Sequence, residues 1–78
     1  MTDQRYMRPG LDFARGKAIE EIGELAAALG KSLRWGWLSS NPELPPAKRV
    51  TNLVWVREEM QDVRDALDNL EQEIEKEF

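Results

Sequence analysis

Six carboxylates stand out by their spacing. Glu20, Glu21 and Glu24 lie in the stretch EEIGE, and Glu58, Glu59 and Asp62 lie in REEMQD. On a helix, Glu21 and Glu24 are neighbours at i and i+3, as are Glu59 and Asp62. Like charges at such spacing cost roughly 0.2–0.5 kcal/mol per pair. Two unit charges brought to 4 Å across a groove repel by about 4 kcal/mol at an effective dielectric of 20. A divalent cation reverses that sign. The chain has no cysteine and no histidine, which removes thiolate and imidazole ligands as well as Ser-His and Cys-His nucleophilic catalysis. Oxygen ligands alone point to hard cations, magnesium first and manganese second. The competing reading is a solvated acidic surface. The 15 acids of the chain produce several such spacings by chance if it is helical, and Glu71, Glu73, Glu75 and Glu77 read that way.

Long helices must position these acids. The four prolines, Pro9, Pro42, Pro45 and Pro46, bracket two proline-free segments. One domain is predicted: helix one over about 11–34, a proline-rich connection over about 35–46, and helix two over about 47–77. Ser40 or Asn41 is a candidate cap for a short turn beginning at Pro42. In the second segment Leu53, Val56, Met60, Val63, Leu67, Leu70 and Ile74 alternate spacings of three and four, an apolar seam over three heptads. The first segment carries Ala18, Ile22, Leu25 and Leu29 in the same pattern. Beside them runs a further stripe of Ile19, Gly23, Ala26, Gly30 and Leu33. Gly16, Gly23 and Gly30 recur every seven residues, so they share one side and favour a close helix contact, or else are merely tolerated on a surface.

Directly beside each seam lies a stripe with chemistry: Lys17, Glu21, Glu24 and Ala28 on helix one, and Trp55, Glu59, Asp62, Ala66 and Asn69 on helix two. In an antiparallel hairpin the two carboxylate pairs face each other. The apolar surface of helix one is wider than a two-helix hairpin uses. The expected all-α fold is therefore two long antiparallel helices per chain that assemble as a homodimer or homotetramer into a four-helix bundle.

The net charge of −4 is uneven: residues 57–78 hold three basic and nine acidic side chains. No basic stripe suited to a nucleic acid polymer is present. The first ten residues are polar, and no run approaches the roughly 20 apolar residues of a membrane span. A soluble, cytoplasmic protein is expected.

EEIGELAAAL followed by REEMQDVRDAL resembles the MazG-like all-α nucleoside triphosphate pyrophosphohydrolases, which include the dimeric dUTPases. Their motif is EExxE on one helix and ExxD on the next, and the likeness covers residues 12–72. The resemblance implies magnesium-dependent hydrolysis of a nucleoside triphosphate to the monophosphate and pyrophosphate. It implies Glu21, Glu24, Glu59 and Asp62 as metal ligands, with Glu20 and Glu58 tuning the site or orienting a water. Two departures stand against it: 34 residues separate Glu24 from Glu59, which is long for the family, and the chain ends soon after helix two.

Basic groups for phosphate would then come from Lys17, Lys31, the connection or another subunit. Trp35 or Trp37 is a candidate to stack on a base, or else to cover the end of the bundle. Trp55 is a candidate wall of a nucleotide pocket, or else packs on helix one. Asn69 is a candidate partner for sugar or base, or a surface residue. Tyr6, Phe13 and Phe78 read as packing residues. Two rival functions remain: a MazG-like helical interaction module that has lost the chemistry, and a plain coiled-coil adaptor.

Overall fold

The computed structural model describes residues 8–40 and 42–78; Tyr6 and Asn41 lie outside them. Two helices, α1 (Pro9–Trp35) and α2 (Asn52–Glu77), are joined by a connection that includes a 3-10 turn at Pro46–Lys48. They run antiparallel: Arg8 at the start of α1 pairs with Glu77 at the end of α2 at 3.5 Å, and Asn52 Nδ2 donates to Gly36 O at 2.9 Å. The hairpin measures 49 × 25 × 23 Å. Among the described residues the chain is all-helical, with one antiparallel bridge between Ser40 and Thr51.

Local chemistry sets the ends. Pro9 occupies the first turn of α1, where a missing N–H costs nothing. The Arg8 N–H donates to Asp12 Oδ2 at 3.2 Å. Gly36 ends α1 with φ 92°, its N–H bonded to Ser32 O, and a side chain at that backbone angle would be strained. The second helix starts later than its expected bound of 47. The Pro46–Lys48 turn is followed by extended backbone at Arg49, and Thr51 then caps α2 by accepting from the Val54 N–H at 3.2 Å. Pro42 and Glu43 lie in a turn, as expected, a further 3-10 turn follows at Pro46–Lys48, and Ser40 pairs with Thr51.

The line of contact between the helices differs from the expected seam. On α1 it runs through Leu11, Ala14, Ala18, Glu21, Leu25, Ala28 and Ser32; on α2 it runs through Asn52, Val56, Glu59, Val63, Ala66, Leu70 and Glu73. Alanines let the backbones approach closely, and the seam therefore shifts one stripe toward the acids. Ile22, Leu29, Leu53, Met60, Leu67 and Ile74, expected inside, are 38–49% exposed. At about 100° per residue, they turn to one side of the contact line on both helices. Lys17, Glu20 and Glu24 turn to the other side, as do Trp55, Asp62 and Asn69. The hairpin thus has an apolar face and an acidic face, with no membrane-length apolar helix among the described residues.

The glycine stripe makes no close contact within the chain. A Cβ built on Gly16, Gly23 or Gly30 meets nothing within 4 Å. Gly23→Ala is expected to stabilise the chain by about 0.5–1 kcal/mol through helix propensity, read as a higher melting temperature. A lower one would place Gly23 against a partner chain.

Candidate metal centre

Glu21 and Glu59 meet in the line of contact because each occupies a core position of its helix. Oxygens of Glu21, Glu59 and Asp62 lie within 4.8 Å of one another, as do oxygens of Glu20, Glu21 and Glu24. Glu21 belongs to both groups and joins them. The Glu21 side chain is only 8% exposed. Its Oε1 accepts from Lys17 Nζ at 2.9 Å, and Lys17 Nζ also lies 3.8 Å from Glu20 Oε1. Glu59 Oε1 accepts from the Trp55 indole Nε1–H at 3.1 Å. The second oxygens, Glu21 Oε2 and Glu59 Oε2, are buried with no hydrogen-bond partner among the described residues.

Buried polar atoms are nearly always bonded, and an unpaired buried carboxylate oxygen costs at least about 1–3 kcal/mol. Two such atoms in one cluster of acids fit a cation. The donor set consists of oxygens, as magnesium and manganese prefer. Magnesium holds its ligands at about 2.1 Å, so opposite oxygens lie about 4 Å apart. The observed spread reaches that distance with small side-chain adjustments.

Mutual repulsion registers on Glu24. The Glu21 carboxylate, then loss of hydration, then Glu59 hold the Glu24 carboxyl above its ordinary value of 4.5. Because the folded chain then binds a proton that the unfolded chain has released, this group makes the metal-free protein more stable as pH falls from neutral toward 4.5. Glu24→Gln is expected to raise the melting temperature more at pH 7 than at pH 4.5, and equal increments would show that Glu24 is not under strain. Lys17 moves the same way for the opposite reason: its hydrogen bond to Glu21 and the charge of Glu20 favour its ammonium form.

The four candidate substrate residues do not converge. Lys17 and Asn69 line a hollow of about 400 Å³ together with Glu21, Asp62, Asp65 and Ala66. Trp35 and Trp55 line a separate cavity of about 800 Å³ at the connection end. Glu58 lies on this second cavity and belongs to neither carboxylate group. Trp37 is half exposed and does not line the cavity.

Arg49, Asn52 and the contact of Lys31 with Trp55 escaped the sequence reading. Arg49 donates to Leu44 O and to Pro42 O, each at 2.7 Å, and so folds the connection over the cavity. Its signal was an arginine just after carbonyls that no regular element satisfies. Lys31 Nζ sits 4.5 Å from the centroid of the Trp55 ring. Asn52, buried at the start of α2, ties the two helix ends together. Comparison of the chain with protein-family models, with curated proteins and with solved structures finds no match.

Proposed function

We propose that the chain is a magnesium-dependent nucleoside triphosphate pyrophosphohydrolase of the MazG-like kind, acting as an oligomer. The observation that carries this reading is the pair of buried, unpartnered oxygens of Glu21 and Glu59, held opposite each other by two helices. Glu21, Glu59 and Asp62 would hold the cation, with Glu24, grouped with Glu21 on the same helix, as the fourth candidate ligand. Manganese suits the same ligands. When bound, the cation would neutralise triphosphate charge and polarise a water.

The chain's own residues do the rest. Glu20, exposed beside Glu21 and Glu24, orients the water and takes its proton. The water oxygen bonds to the α-phosphorus, and the bond from that phosphorus to the bridging oxygen breaks. The products are the nucleoside monophosphate and pyrophosphate. Lys17, on the same face, is the nearby cation for phosphate. Asn69, in the hollow that Lys17 lines, is the nearby polar group for a sugar or phosphate oxygen.

The exposed apolar face supports assembly. Leu53, Met60, Leu67 and Ile74 on α2 adjoin Ile22 and Leu29 on α1, and a second copy of the hairpin covers such a band by forming a four-helix bundle. The acidic faces then remain open to substrate.

The direct test is pyrophosphate release from a panel of ribo- and deoxyribonucleoside triphosphates with magnesium. Turnover of at least one, absent when the metal is chelated, is the expected result. No release from any substrate at high enzyme concentration would sink the reading. One observation favours the rival, a helical module without chemistry: Lys17 already partners Glu21 without a metal. That rival predicts no change of melting temperature with magnesium.

A further inference from the structure

The bend end of the hairpin carries charge opposite to the rest of the chain. Residues 31–57 hold five basic side chains and one acid, whereas the remaining residues hold six basic and fourteen acidic ones. Counting Glu58 and Glu59, next along α2, the end still carries a positive excess. Arg34 and Arg57 are exposed, and neither makes an ion pair among the described residues.

Large apolar side chains crowd the same end. Leu33 is 88% exposed, Trp35 68%, Trp37 50% and Leu38 78%. They occupy the last turn of α1 and the three residues after it, and none belongs to the apolar band that runs along the hairpin. The backbone that presents them is fixed. Gly36 turns the chain with φ 92°. The Leu53 N–H donates to Trp37 O and the Asn52 N–H to Ser39 O, each at 2.8 Å, while Ser39 Oγ donates to Trp35 O. Little loop freedom is therefore lost when this end docks.

The arrangement narrows the chemistry of the partner. At 100° per residue, Leu33 and Trp35 stand about 200° apart around α1, so a helix laid along one side covers one of them and misses the other. A surface that receives the whole end covers both. Indole rings with leucine beside them suit the level of lipid headgroups, and unpaired guanidinium groups suit anionic ones. Interfacial segments sink about 5–10 Å. Leu33 lies only about 3 Å behind Trp35 along the helix axis, so that depth takes in all four apolar side chains. Lys31 lies about 6 Å behind Trp35, and Arg57 about 8 Å behind the start of α2, which leaves both among headgroups. The acidic remainder does not prevent this contact. Exposed charges are screened beyond about 8 Å at physiological ionic strength, and the hairpin is 49 Å long.

We propose that the bend end of the hairpin docks on an anionic lipid bilayer, with Leu33, Trp35, Trp37 and Leu38 in the interface and Arg34 and Arg57 on the headgroups. The contact is with the surface, since no helix among the described residues is long and apolar enough to cross a membrane. It is independent of the metal reading above.

Sedimentation of the full chain with sucrose-loaded vesicles tests this, with tryptophan emission followed in the same samples. Vesicles of phosphatidylcholine with about 30 mol% phosphatidylserine are expected to bind the chain at least about tenfold more tightly than phosphatidylcholine alone, with emission moving to shorter wavelength. The pair Arg34→Glu and Arg57→Glu is expected to weaken binding at least about tenfold. Arg64→Glu with Lys76→Glu makes the same change of net charge farther along α2 and is expected to bind as wild type. Leu38→Ser, at an exposed site, is expected to weaken binding about threefold or more, and circular dichroism checks that every variant keeps its helices. No sedimentation of wild type with the anionic vesicles overturns the proposal. Equal weakening by the two charge pairs overturns the placement at the bend. Binding that ignores Leu38→Ser makes this end a plain cationic patch, fit for a nucleic acid or an acidic protein, and overturns the bilayer assignment.

Discussion

Glu59→Gln is expected to abolish the stabilisation of this protein by magnesium while leaving the hairpin folded. The substitution preserves shape, and the amide oxygen that it introduces still accepts from the Trp55 indole that now bonds Glu59. It removes one negative charge from a cluster whose members repel, so the metal-free melting temperature is not expected to fall. The metal-loaded protein behaves differently. A ligand at 100 times its dissociation constant stabilises by about 2.7 kcal/mol, and each kcal/mol moves the melting point of a domain this size by roughly 4–8 °C. The wild-type chain should therefore gain about 10 °C or more, and Glu59→Gln should lose nearly all of it. Even residues that merely support a ligand cost about 10–100-fold in affinity when replaced, so a ligand itself should cost more than about 100-fold, with turnover falling in parallel. Thermal melts with and without magnesium, together with pyrophosphate release, read both effects. A variant that retains the magnesium shift removes Glu59 from the site.

If hairpins pair through the apolar face, as proposed, Leu67→Glu is expected to take that pair apart. Leu67 is 45% exposed in the hairpin, so a single chain accommodates the glutamate. In a symmetric pair the residue is buried twice, and each leucine contributes about 1.5–3 kcal/mol when it leaves water. Because less than half of each side chain remains to be buried, losing both weakens association by at least about tenfold, at 1.4 kcal/mol per tenfold, and the two introduced charges weaken it further. Light scattering after gel filtration should report a monomer for Leu67→Glu. Gln72→Glu, on an exposed surface away from the apolar face, should keep the wild-type mass. Equal masses for Leu67→Glu and wild type would remove this face from any subunit contact.

The helices were legible because helical period and proline placement are local properties. The start of α1 fell within two residues of its expected place. The start of α2 did not, although Thr51 immediately before the apolar pattern is a readable cap; three prolines in the preceding segment drew the expected boundary toward themselves. The choice of inner stripe was harder. Periodicity shows that Ile22, Leu29, Met60 and Leu67 form a continuous band, but not what lies against it. Alanines at 14, 18, 28 and 66 decided that the helices meet along the acids, because small side chains permit the closest approach.

In the site, the approach of Glu21 to Glu59 and Asp62 was legible in the stripes beside the seams, whereas Glu24 groups with Glu20 and Glu21 on its own helix. The links from Lys17 to Glu21 and from Trp55 to Glu59, each of which spans four residues, were not expected from the sequence, where Lys17 read as a group for phosphate and Trp55 as a pocket wall. The division of the substrate candidates between two hollows was not legible either, because the larger one exists only once Arg49 has drawn the connection over it.

The bond from Lys17 to Glu21 has a consequence for how any metal is felt. The protein carries a tethered counterion of its own, so loading a divalent ion is an exchange of cations and not an addition to bare charge. The affinity observed is a difference between two cations, and Lys17→Met should tighten it while weakening the metal-free hairpin. An ammonium released by that exchange stays on its helix, beside the place where a phosphate would arrive.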